Sequence, residues 1–131
     1  SSDLQLSLAP LSFSPAMAPQ GKGRILEIRT YVAPDRTGLG NLVTRMRTGE
    51  AKIFDRLGMQ GLLFSVAAEP PQSDNTFMYV LAHENREKAK ESWSKFSADP
   101  GWKELRSTAA PTGQIKVQSI FVTPTAFSPI Q

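Results

Sequence analysis

The stretch ILEIRTY, residues 25–31, decides how the rest of the chain is read. Its β-branched and aromatic residues favour an extended, pleated backbone. Side chains alternate across a strand, so Leu26, Ile28 and Thr30 share one face, and Ile25, Glu27, Arg29 and Tyr31 share the other. The first set reads as core. The second sets a carboxylate, a guanidinium and a phenol side by side, facing water, another subunit or a ligand.

Working outward, the strand runs on to Val32 and is closed by Ala33-Pro34-Asp35. Asp35 or Thr37 can cap a following helix by accepting bonds from its free N–H groups. Leu39, Leu42, Val43, Met46, Ile53, Phe54 and Leu57 recur at helical spacing, and Gly58 suits the left-handed conformation that ends a helix. GLLFSVA, residues 61–67, reads as a second strand, and EPPQSDN as a turn rich in breakers. TFMYVLAH, Thr76–His83, is a third strand antiparallel to the second. Asn85 can cap a second helix carrying Ala89, Trp93 and Phe96 on one side, where they read as core. Asp99-Pro100 restarts helical structure, with Asp as N-cap, Pro at the first helical position, and Trp102 and Leu105 as the apolar residues. QIKVQSIFV, residues 114–122, is the fourth strand. The expected fold is α+β, a ferredoxin-like β-α-β-β-α-β sandwich with helices on one face of a four-stranded antiparallel sheet.

Both sides of these strands are apolar. Phe77, Tyr79 and Leu81 alternate with Met78, Val80 and Ala82, and Ile115, Val117 and Phe121 with Ile120 and Val122. A sheet with one face in water would alternate apolar and polar more cleanly. Both faces are therefore expected to be covered, one by helices and the other by a second copy, giving a homodimer. Leu42, Met46 and Ile53 need an apolar surface beneath them, so Leu26 and Ile28 are expected to face the helices. Glu27, Arg29 and Tyr31, with Phe64, Tyr79 and Phe121, are then expected between the two sheets of a dimeric α/β barrel.

Composition excludes several functions. A chain of 131 residues makes one domain of ordinary core size. Lys88, Lys90, Lys95, Lys103 and Arg106 are interleaved with Glu87, Glu91 and Glu104, as on the solvated side of helices, so no nucleic-acid partner is expected. The absence of cysteine rules out a disulfide framework or a thiolate site, and a single histidine, His83, rules out a multi-histidine metal cage. No metal, cofactor or membrane span is expected. Residues 1–23, rich in Ser, Pro and Ala, read as a flexible or loosely docked arm before a domain at 24–131. The chain begins with Ser1 and not Met, which fits a cytoplasmic protein or one exported after cleavage of an upstream segment.

LEIRTY after an arm, a long first helix, GMQGLLF, DPGW after the second helix, and the tail VTPTAFSPI together resemble the NIPSNAP family, in the same order over roughly residues 25–130. The resemblance extends to Glu27, Arg29, Tyr31, Gly61, Asp99, Trp102 and the closing Phe127-Ser128-Pro129. It implies a dimeric α+β barrel of ferredoxin-like units, and it brings no established reaction. MYVLAHENREKAKESW keeps Tyr79 and the helix but lacks a tryptophan–tyrosine pair expected near the helix start.

Glu27, Arg29, Tyr31, Tyr79 and His83 are the candidate ligand-binding residues; no catalytic residue is assigned. A buried carboxylate and guanidinium are costly unless paired and hydrogen-bonded. Three arrangements remain open: an internal ion pair that fixes register or the dimer, a pocket where Arg29 binds a carboxylate or enolate oxygen and Tyr31 donates a hydrogen bond, or an exposed edge. His83, in phase with Tyr79 and Leu81, is a strand-end histidine, a general base, or, by analogy with haem enzymes among related barrels, an axial ligand. The leading reading is a homodimeric barrel that binds a small organic molecule in a cavity near the inter-sheet face. The alternative is a cofactor-independent monooxygenase or isomerase acting on a small organic substrate.

Overall fold

The computed structural model describes residues 8–10 and 24–123. The rest of the expected arm and the Phe127-Ser128-Pro129 tail lie outside the described residues. The expected strands form as β2 (Ile25–Val32), β3 (Gln60–Ala67), β4 (Thr76–His83) and β5 (Lys116–Val122). All pair antiparallel, and a three-residue strand from the arm, β1 (Leu8–Pro10), adds to the β3 edge. The order β1-β3-β4-β2-β5 leaves β5 as the other edge. Among the described residues, no helix is long and apolar enough to cross a membrane.

Each helix starts and stops where its sequence asks. The Asp35 carboxylate accepts from the Gly38 N–H at 2.7 Å to open α1 (Arg36–Arg45). A π turn at Met46–Glu50 then leads into α2 (Ala51–Arg56), so the expected single helix carries one wide turn. Gly58, at φ 85°, ends it: the Met59 N–H reaches the Phe54 carbonyl and the Gly58 N–H reaches that of Asp55, which satisfies two terminal acceptors. Asn85 caps α3 (Arg86–Ala98) through the Lys88 N–H. Asp99 caps α4 (Pro100–Thr108) through the Trp102 N–H at 3.0 Å.

The faces of the sheet are the reverse of those expected. Tyr31, Phe64, Phe77, Tyr79 and Leu81 pack with Leu39, Leu42, Met46, Ile53, Phe54 and Phe96 into one core. Tyr79 meets Phe54 of α2 at 5.4 Å between ring centroids and stacks on Phe64 at 5.6 Å. Glu27, Arg29 and Tyr31 therefore lie under the helices, and so do Phe64, Tyr79 and Phe121, against the expectation that all six face a second sheet. Volume decides the matter: Phe77, Tyr79 and Leu81 offer helices more apolar surface than Met78, Val80 and Ala82. The charged pair is tolerated there because the two groups bond each other and further side chains bond both.

On the opposite face, register aligns Leu63, Val80, Ile28 and Ile120 in one row across four strands. Leu63 and Ile120 remain 38% and 47% exposed, while Leu26 at the end of that face is buried. A bulge between Gly61 and Leu63 sets this phase. Gly61 is needed beside it, because a Cβ there would stand 2.6 Å from the Phe64 ring.

Candidate functional site

Glu27 sits near the N-terminal end of β2, between β4 and β5, and is only 2% exposed. Its position under α3 is fixed by pairing: Leu81 is its neighbour on β4 and Phe121 on β5. Four side chains donate to it. Oε1 accepts from the Trp93 indole N–H and from His83 Nε2, each at 2.8 Å. Oε2 accepts from Arg29 Nη1 at 3.0 Å and from the Ser119 hydroxyl at 2.6 Å. An ionised carboxylate is an acceptor only, so His83 carries its proton on Nε2. Burial alone would raise the pKa of Glu27; the bonds from His83, Ser119, Trp93 and Arg29 outweigh it and hold the group at about 2.

Arg29 ties this carboxylate to two phenols. Its Nε points at the hydroxyls of Tyr31 and Tyr79, each at 3.0 Å, and the hydroxyls lie 2.6 Å from one another. The guanidinium carbon stands 4.3 Å from the centre of the Trp93 ring. Burial works against its charge, but the phenols and Glu27 prevail and keep the pKa above the ordinary value. Burial chiefly pushes both tyrosines up, so they stay protonated. Glu50, directed inward from the π turn, holds Arg45 Nε at 2.8 Å; its own pKa is raised by burial against the pull of Arg45.

Beside this layer, α3 and β5 enclose an open cleft of about 630 Å3, in the range that small-molecule sites occupy. Arg86, Lys90, Trp93, Ser94 and Ser97 line it from one stripe of α3, with Glu87 at the flank. Phe121 forms the β5 wall and Glu27 the floor. The cleft is thus on the helix side of the sheet and not between sheets. Of the five expected site residues, Glu27 alone lines it; Arg29, Tyr31, Tyr79 and His83 stand behind it as one hydrogen-bonded layer.

Four contributors escape a reading of the sequence. Trp93 reads as core from its spacing, yet its N–H holds Glu27. Lys90 reads as a solvated helix charge and Arg86 carries no signal of its own, but their spacing of four puts them on the stripe that faces the cleft. Ser119 carries no signal of its own beyond its register with Arg29. His83 does not fit axial haem ligation: its ring is buried and Nε2 is taken up by Glu27. No group of three or more acidic or histidine side chains among the described residues could hold a metal ion.

Comparison with known proteins agrees with this architecture. The NIPSNAP family model matches residues 26–129. Among solved structures, an uncharacterised NIPSNAP-like domain protein from Burkholderia xenovorans superposes with a TM-score of 0.70 at 17% identity, over 83% of this chain and 91% of that one. A NIPSNAP family protein from Agrobacterium tumefaciens follows at 0.66 and 17%, over 90% of this chain and all of that one. A dimeric ferredoxin-like protein from an uncultured marine organism gives 0.51 at 11% identity, over 78% and 90%. No curated protein matches the chain significantly. With the match covering most of the sequence, and the sheet and helices following the same plan as those relatives, the chain belongs to the NIPSNAP family.

Proposed function

We propose that this protein is a homodimeric binder of a small organic molecule, held in the cleft between α3 and β5. The observation that carries the reading is the Glu27 floor. A carboxylate with four donors and a pKa of about 2 is a fixed, unreactive anion that shapes a wall. An isomerase or monooxygenase would need an acid or base that titrates near working pH. Glu27 sits below that range with all its acceptor positions occupied. The phenols of Tyr31 and Tyr79 and the His83 ring, whose Nε2 is held by Glu27, stand behind the cleft wall. Ligand-observed NMR with a mixture of small organic compounds tests the reading. Hits should bind the native protein and be lost in Ser94→Trp, which fills the cleft from an exposed position. Hits that survive in Ser94→Trp would place binding elsewhere.

The homodimer rests on the row Leu63, Val80, Ile28 and Ile120. A monomer seldom leaves such a contiguous apolar row half open to water. A second copy of the same face covers it with matching side chains, as a two-fold interface requires. A protein of the same fold, the ferredoxin-like protein from an uncultured marine organism, is dimeric, which supports a two-copy assembly without indicating the face. Light scattering should give twice the 14.4 kDa of one chain.

A further inference from the structure

The charges around the cleft specify what sort of molecule it takes, given that the cleft is a binding site as proposed above. Both Glu27 oxygens already accept two bonds each, which uses the lone pairs a carboxylate has to offer. A ligand donor or cation would therefore find no free acceptor on the floor. The remaining charged groups are Arg86, Lys90 and Glu87. Arg86 and Lys90 stand one helical turn apart on the central stripe, while Glu87 is rotated to its flank. With the Glu27 charge met by Arg29 behind it, Arg86 and Lys90 outweigh Glu87 along the stripe, and the field there favours an anion.

The walls add a shape. Trp93 and Phe121 are both aromatic and both partly exposed to the cleft. The Arg86 guanidinium carbon already lies 4.3 Å from the Phe121 ring centre, so a cation is stationed at the aromatic wall. A ring lying on Phe121 or Trp93 would bring an attached acid group within reach of this stripe. We infer that the cleft binds planar aromatic monocarboxylates, with the ring against Trp93 and Phe121 and the carboxylate on Arg86 and Lys90.

Titrations of tryptophan fluorescence with 1-naphthoate, with 1-naphthamide and with inorganic phosphate test this directly. The expected result is that naphthoate binds at least about tenfold more tightly than the amide, as a charge-assisted bond to Arg86 or Lys90 requires. Arg86→Met and Lys90→Met, both at exposed helical positions, should weaken naphthoate by a similar factor and affect the amide far less. Equal affinity for acid and amide would overturn the anionic class while leaving a cleft that binds rings. Competition by phosphate at concentrations comparable to naphthoate would overturn the aromatic half. If compounds of other classes bind in the NMR screen and naphthoate does not, the inference fails and the binding function stands. If neither experiment detects binding, both fail.

Discussion

Trp93 reaches across from α3 to β2 and donates its indole N–H to Glu27 at 2.8 Å, joining a helix to the strand it covers. The same ring takes the Arg29 guanidinium against its face. Helix, strand and ion pair are thereby one unit, and damage to any of them should register as lost stability.

Glu27→Gln tests the charge. The folded pKa of about 2 lies below the ordinary 4.5, so the stabilisation is fully present above about pH 4.5 and is lost as pH falls toward 2. That loss amounts to roughly 3 kcal/mol across the window. Urea midpoints recorded from pH 2 to 7 should fall less steeply in acid for the variant than for the native protein. Parallel curves would mean that Glu27 titrates normally.

Arg29→Met keeps the bulk of the side chain and deletes its charge. Because Glu27 stays buried without its cation, the cost should be about 3–5 kcal/mol, read as a lower denaturant midpoint. The Glu27→Gln and Arg29→Met double variant should lose clearly less than the sum of the two single losses. Simple additivity would show that the pair does not interact.

Asp99 serves both as the α4 cap and as the partner of Arg56, at 2.8 Å. Arg56 is 54% exposed, so that ion pair adds little. Asp99→Ala should cost about 1 kcal/mol, whereas Arg56→Met should shift the thermal midpoint hardly at all. Equal losses would assign the effect to the ion pair.

Ile120 and Val117 lie on opposite faces of β5 and are about equally exposed, at 47% and 49%. Ile120 belongs to the row assigned to the dimer and Val117 does not. Ile120→Glu should therefore yield monomers by light scattering, with the circular dichroism of the native fold. Val117→Glu should remain dimeric. The reverse pattern would put the interface on the helix side.

Periodicity and caps made the elements legible: Asp35, Asn85, Asp99 and Gly58 mark helix ends by short-range chemistry, and the structure uses each of them. The assignment of faces was harder because it depends on pairing between distant strands. Alternation told that Glu27, Arg29 and Tyr31 share a side, but only the register with Tyr79 and Phe121 told which side. The expectation that charge avoids the helices missed the indole N–H that Trp93 supplies from above. The Gly61–Leu63 bulge, in contrast, leaves Leu63 on the face opposite Phe64 as alternation requires and takes only Gly61 out of step.

A π turn is an α-helix with one residue inserted, and the one at Met46–Glu50 leaves α1 and α2 on either side in regular form. A chain shortened by one residue at the exposed Thr48 would close into an unbroken α-helix, with Leu42 and Phe54 still turned toward the sheet. The same deletion at Asn41 would swing everything after it by about 100°. The helix thus has a slip joint, a place where natural variation in length can be absorbed without disturbing the aromatic core beneath.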